Sequence, residues 1–442
     1  MSEDHPRNQQ DQTWTTNRRE FLKISGTTVA GVSLFGAVAC GGDSGAEGDL
    51  VLGVTPDYES IIKPMVSRYN KRAGDGSKVT VRFYPADTDQ YFDRLRTQFQ
   101  AGETKPDVFA GDVAWPAQFA TNGWIADLSR RFPSAERKEF IPGAIEGDTY
   151  EGKIWGVPWF TDSGFLFARQ DLLERSGYSE PPATWDELKE MAAKVMSDAK
   201  VENGFVFTGA VYEGGTVLGT EFIRTAGGDV LEGNKVAVTS PEAVQGLTTQ
   251  QSLVADGIAP EAVANFKEDE AAAAFLNGDT VFMRMWPFAY DMLSDKKASN
   301  ITPDQVRISH VPMGSADMTP LNVGGGWSFF LNEQSENQDA AYKLVEYLAA
   351  PEQQKTLALE GSYLPTRSAL YDDPEISAKL PAIRLGKDVV EQTTTPPVSP
   401  YYKDLSAAMA KQFNANVLGS APPEQVAEDL QAELTSIVER AG

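Results

Sequence analysis

Apolar positions along this chain alternate between two periods. Leu50 to Val54 is a short apolar run closed by Thr55-Pro56, after which Ile61, Ile62, Met65, Val66 and Tyr69 recur at helical spacing. Val79 to Tyr84 is β-branched and aromatic, and Tyr91, Phe92, Leu95 and Phe99 mark a second amphipathic helix. Pro106 to Ala110 predicts a third strand, leading into a helix that stops at Gly123. Strand and helix repeated three times predict a parallel sheet covered on both faces. A second series follows Tyr150. Ile154 to Trp159 and Gly164 to Ala168 are predicted extended, and Thr184-x-x-Glu187 forms a capping box ahead of Leu188, Met191, Ala192 and Val195. Strands at Thr280 to Met285 and Gly326 to Leu331, helices after Asp339 and Pro351, and a last helix through Val426, Leu430, Leu434, Ile437 and Val438 complete an α/β chain. No internal repeat, coiled coil or long low-complexity tract interrupts it.

The residues before this pattern read as an address. Asn17-Arg18-Arg19-Glu20-Phe21-Leu22-Lys23 precedes a mildly apolar run, Ile24 to Ala39, diluted by Ser, Thr and Gly. The run falls short of the roughly 20 predominantly apolar residues of a spanning helix. The Arg pair resembles a twin-arginine export signal, and Ala37-Val38-Ala39-Cys40 resembles a lipoprotein cleavage box, in which the thiol of Cys40 takes a diacylglyceryl group. Residues 1–39 are therefore expected to be a signal peptide, and 40–49 an anchor and tether. Two or more acyl chains suffice for stable anchoring, which places the protein on the outer face of the cytoplasmic membrane.

Composition narrows the chemistry. The 442 residues carry 39 Lys+Arg against 63 Asp+Glu, a formal charge of −24, which argues against nucleic acid or an anionic membrane surface as partner. One Cys and two His, His5 and His310, exclude an internal disulfide and zinc sites built from Cys and His. No phosphate-cradling glycine loop or EF-hand loop is present, and no cofactor or metal is expected. Paired carboxylates remain the most available enzyme chemistry.

In open parallel sheets ligands bind beyond the carboxyl ends of the strands. Those ends carry Asp57 and Glu59, Asp112 and Trp115, Trp159 and Asp162, Trp286, and Gly325-Gly326-Trp327. A Trp beside carboxylates suits a neutral sugar, which offers an apolar C–H face for stacking and a rim of hydroxyls for hydrogen bonds. Trp115, Trp159, Trp286 and Trp327 are candidate faces; Glu59, Asp112, Asp162 and Arg367 are candidate grips. For any single Trp, core packing is the commoner role, and Trp124 and Trp185 are assigned to it. Asp112 is equally a candidate helix cap, Asp162 a turn residue, the Tyr401-Tyr402 pair the packing of a bend, and His310 a structural residue.

Pro106-Asp107-Val108 with Asp112, Gly123 to Leu128, Gly152 to Pro158, Phe167 to Leu173, Gly325-Gly326-Trp327 and Gly361 to Arg367 resemble, in order, family 1 extracellular solute-binding proteins, the sugar-capturing subunits of ABC importers. The trehalose/maltose-binding branch is the most similar. The resemblance implies a two-lobed periplasmic-binding-protein-like fold with a ligand cleft between discontinuous lobes, 50–160 plus 328–365 and 161–327 plus 366–442. The crossings are expected near Val157 to Phe165, Gly325 to Phe329 and Leu364 to Thr366. It implies that Asp112, Asp162 and Arg367 grip hydroxyls and that Trp286 and Trp327 stack on the ring; Trp115, Gly326 and Tyr402 are further candidate ligand-binding residues. The early acidic position stays open between Asp57 and Glu59. An Arg that the branch carries is replaced within Gln90-Tyr91-Phe92, which leaves the sugar open. The expected protein is a monomeric, lipid-anchored binding subunit that presents a neutral oligosaccharide to a permease. A secreted glycosidase with Asp112 and Asp162 as acid and base, or the same scaffold binding a non-sugar solute, are the alternatives.

Overall fold

The computed structural model describes residues 48–74, 77–232, 235–385, 390 and 399–440. The expected signal peptide, Cys40 and most of the expected tether lie outside the described residues. Among those described, no helix is long and apolar enough to cross a membrane.

Two sheets organise the body. The first has six strands in the order Leu364–Pro365, Val157–Ser163, Gly324–Leu331, Val108–Asp112, Leu50–Val54 and Val79–Phe83. Its three early strands are parallel, Leu50 opposite Val79 and Leu52 opposite Val108, as the strand–helix alternation predicts. Gly324–Leu331 returns from the far part of the chain and runs antiparallel to both neighbours, so the sheet is mixed. The second sheet has the order Val306–Ser309, Phe165–Arg169, Thr280–Met285 and Asn203–Val206.

Local chemistry starts the helices where their caps stand. Thr184 accepts from the Glu187 N–H at 3.2 Å while Glu187 accepts from the Thr184 N–H at 3.2 Å, and the helix Trp185–Ala199 follows. Asp87 caps Thr88–Gln100 by accepting from the Gln90 N–H at 3.0 Å. Gly123, with φ +67°, ends the segment after Pro116–Thr121 in the left-handed region.

Each sheet has its own core. Leu52, Tyr91, Phe109, Phe119 and Phe329 pack around the first, and Phe165, Phe167, Leu188, Phe205 and Phe282 around the second. A third cluster, with Leu247, Met409, Phe413, Leu430 and Leu434, joins the helices Pro241–Ala255, Tyr402–Val417 and Pro423–Glu439. The backbone passes from the first sheet to the second at Gly164, between Ser163 and Phe165. A Cβ there would lie 2.1 Å from Nη2 of Arg284, so only glycine lets that side chain pack against the crossing. The chain returns through Val323, whose carbonyl accepts from the Gly164 N–H at 3.3 Å. After Leu364–Pro365 it leaves again, and Leu370, Tyr371 and Ile376 pack into the second core.

Candidate functional site

Register puts the central groups on one face of the first sheet. Trp327 pairs with Asp112 and with Phe160, and Gly325 pairs with Asp162. Directly paired residues, and residues two apart along a strand, share a face. Asp112, Trp327, Phe160, Gly325 and Asp162 therefore project together. A Cβ on Gly325 would meet nothing within 4 Å, so this face is open between the two acidic strands.

Both carboxyls hold their protons more tightly than usual. Burial, reinforced by the charge of Glu213, pushes Asp112 up to about 8, against the pull of the Ala114 N–H that it accepts at 2.9 Å. Burial also raises Asp162 well above the carboxylate range; Arg284 opposes this and Asp112 adds to it. One oxygen of Asp162, Oδ1, is buried without a protein partner. A carboxyl that keeps its proton near neutral pH both donates and accepts, which matches a hydroxyl.

Tyrosines surround these acids. Tyr58 is buried, with ring centroids 5.3 Å from Trp327, 5.5 Å from Phe160 and 5.7 Å from Tyr363. Its hydroxyl is raised by burial and then by Tyr363, Asp162, Asp57 and Asp112. The buried Tyr371 hydroxyl has no hydrogen-bond partner and is raised by burial and by Asp162.

The second sheet's side contributes a buried ion pair and a ring. Arg284 donates to Glu221 from Nε and Nη2, both at 2.8 Å, with each side chain 1% exposed. The guanidinium also lies 4.2 Å from the centre of the half-buried Trp286 ring. Glu268 is raised by burial, against the opposing influence of Tyr212, Trp286 and Arg284. Glu213 is raised by burial too, although Ser406 donates to it at 2.6 Å and the Tyr402 hydroxyl donates to its other oxygen.

The structure thus brings together Asp112, Asp162 and Trp327, sets Tyr402 beside them through Glu213, and links Trp286 to them through Arg284. Gly326 acts through its backbone. Its φ is +128°, a Cβ would fall 2.6 Å from the Phe160 carbonyl oxygen, and its own carbonyl accepts from the Val113 N–H at 3.2 Å.

Other candidates are corrected. Arg367 donates to the Ala349 carbonyl at 3.1 Å, pairs with Glu139, and stacks 4.2 Å from the Phe140 ring centre, so its guanidinium is held by structural partners. Glu59 is exposed in the first turn of the helix Glu59–Ala73 and pairs with Lys63 one turn on. Asp57 instead acts electrostatically on Tyr58 and Tyr363, which favours it as the early acidic position. Trp115 is 5% exposed and packs on Tyr91, Phe92 and Phe119, folding back over Gly111, where a Cβ would clash with its ring. Trp159 is fully buried against Tyr58 and Phe329. Both Trp rings belong to the core. Glu213, Glu268, Tyr363 and Tyr371 were not among the sequence candidates; the strand-end rule points to none of them because they stand on loops and helix starts. Among the described residues no group of three or more His, Cys, Asp or Glu is arranged to hold a metal.

The sequence pattern of bacterial extracellular solute-binding proteins matches residues 53–355. A probable ABC transporter-binding protein of Deinococcus radiodurans is 32% identical over 371 residues, which are 82% of this chain and 87% of the relative. A maltotriose-binding protein of Pyrococcus abyssi is 24% identical over 285 residues, 64% of this chain and 59% of that one. Among solved structures, maltose-bound MalE3 of T. maritima is 33% identical with a TM-score of 0.82, over 88% of this chain and 99% of the other. The GacH receptor of Streptomyces glaucescens, solved unliganded and with acarbose, shares the fold at 22% identity and a TM-score of 0.77, over 89% and 99%.

Proposed function

We propose that this chain, which belongs to the bacterial extracellular solute-binding protein family and is the binding subunit of an ABC transporter, captures a neutral oligosaccharide, foremost a disaccharide of the maltose or trehalose kind, and delivers it to the permease. The observation that carries this reading is the shared face of Asp112, Trp327, Gly325 and Asp162. It sets an aromatic between two proton-holding carboxyls, beside a gap with no side chain. The family and its structural neighbours are binding proteins rather than enzymes. Lipid anchoring at Cys40 belongs to the same reading, and the mass of the mature N-terminal peptide checks it.

Calorimetry and thermal melting with maltose and trehalose test the sugar. A ligand bound only by the folded state, at 100 times its Kd, adds about 2.7 kcal/mol to stability, so a clear rise in melting temperature is expected with one of them. No heat and no shift with either, or with longer glucosides, overturns the reading. Release of free glucose from those glucosides during the incubation also overturns it, in favour of a glycosidase.

The two candidate stacking rings should separate on substitution. Trp286 is half-buried, so Trp286→Ala is expected to remove apolar area worth about 25 cal/mol per Å² from sugar binding and to disturb folding less. Trp327 is 9% exposed and enclosed by Tyr58, Tyr91 and Trp115, so Trp327→Ala is expected to lose binding together with about 3–5 kcal/mol of folding free energy. Normal affinity in Trp286→Ala would remove that ring from the site.

A further inference from the structure

One flank of the region between the two sheets carries charges beside the sugar site: Asp89 adds to the burial that raises Asp112 and Glu213, and Lys403 opposes it at Glu213. The helix Thr88–Gln100 packs Tyr91, Phe92, Leu95 and Phe99 into the first core, and its N-terminal end presents Asp87 and Asp89. Asp87 uses Oδ1 to cap its own helix and Oδ2 to accept from Lys267 at 2.5 Å. Lys267 immediately precedes the helix Glu268–Leu276, whose Phe275 and Leu276 belong to the second core. Asp89 pairs with Lys403, in the first turn of the helix Tyr402–Val417, which packs on the helix Glu213–Thr225. Each ammonium also sits over a ring, Lys267 at 4.9 Å from the centre of Tyr212 and Lys403 at 5.6 Å from that of Phe92. Two ion pairs therefore tie one helix end of the first core to two separate elements on the other side.

The surroundings give these lysines work to do. Asp112 stands on the first sheet and Glu213 at the start of a helix on the other side, close enough for the charge of Glu213 to help Asp112 keep its proton. Approach of the two sides brings such acids together, and Lys267 and Lys403 are the cations that meet acids across the same gap.

We infer that Asp87–Lys267 and Asp89–Lys403 form a clasp that closes the two sides over the ligand and sets how tightly the closed state holds it. The inference rests on the proposed function, capture of a solute in the cleft between the two lobes, and adds that they close over it. A neutral sugar brings no charge, so this clasp makes its affinity depend on salt. The four side chains are 22–42% exposed, within reach of screening by ions.

Carbodiimide, which joins only carboxylates and amines already in contact, tests the clasp whatever the solute. Peptide mapping of the treated full-length protein is expected to recover Asp87–Lys267 and Asp89–Lys403 links, in several-fold higher yield with saturating maltose. Absence of both links, with or without maltose, overturns the clasp. Links without any maltose effect on their yield or on the melting temperature would uphold the clasp and count against the sugar. The second test is Asp87→Asn combined with Asp89→Asn, since Asn keeps the helix cap while removing the charge. The Kd for maltose is expected to rise about tenfold, the effect of two partly exposed pairs, and to lose its dependence on NaCl. Asp89→Lys combined with Lys403→Asp should restore much of one pair. A double Asn variant that melts like the parent and keeps its Kd and salt slope overturns the inference.

Discussion

Glu221→Gln is expected to lower the free energy of unfolding by about 3–5 kcal/mol, because it leaves the guanidinium of Arg284 buried without its counter-charge. The pair is 1% exposed on both sides and bidentate at 2.8 Å, and Glu221 also accepts from the Val323 N–H at 3.2 Å. Arg284 is packed against Gly164 at one crossing, Val323 forms another, and Trp286 lies over the guanidinium. Loss of the carboxylate therefore loosens both crossings and the support of a candidate stacking ring together. Replacing both partners, Glu221→Leu with Arg284→Met, should recover most of the stability, since desolvating two charges offsets much of what their attraction contributes. Denaturant unfolding of the three variants checks this. Unchanged stability in Glu221→Gln would mean that the pair contributes little to the native state.

How far the sequence foretold this arrangement depends on how each element announces itself. The parallel strands at Leu50–Val54, Val79–Phe83 and Val108–Asp112 were readable because each is an apolar run followed by an amphipathic helix. The helix Glu213–Thr225 was not, because Gly214, Gly215 and Gly219 together with Thr216 and Thr220 are poor helix formers, and only the packing that buries Gly214 to Ile223 makes the segment helical. That helix carries Glu213 and Glu221, so two acids that shape the site went unnoticed with it. Asp112, Asp162 and Trp327 stand out as candidates because they lie at strand ends, where such sheets bind ligands, and the register sets them on one face.

Arg367 shows the opposite failure. Its place in a family pattern suggested a hydroxyl grip, but the pattern does not reveal that Glu139 and Phe140 arrive from a distant loop to hold the guanidinium. Trp115 and Trp159 fail for a related reason. Aromatics at strand ends face either the cleft or the core, and only the neighbouring rings, Phe92 and Phe119 in one case and Phe329 in the other, decide which.

A last carboxyl gives a pH dependence that folding alone explains. Asp148 is fully buried; Oδ2 accepts from the Ser328 hydroxyl at 2.7 Å, and Oδ1 has no partner. Burial, only partly offset by that hydrogen bond, raises it from 3.8 to about 7. Between those two values the unfolded chain gives up its proton while the folded protein keeps it, so the folded state binds more protons and stability falls as pH rises. The loss is about 1.4 kcal/mol per pH unit, roughly 4 kcal/mol across the interval, and it levels off above the folded value, where both states are ionised. Asp148→Asn does not titrate and is nearly isosteric, and its amide oxygen still accepts from Ser328. Its stability relative to the parent is therefore expected to improve steadily from about pH 4 to about pH 7 and then to hold constant. Urea unfolding of both proteins across that range measures the difference. Parallel curves, with the same gap at each pH, would mean that Asp148 titrates alike in the folded and unfolded chains and that water reaches its carboxyl.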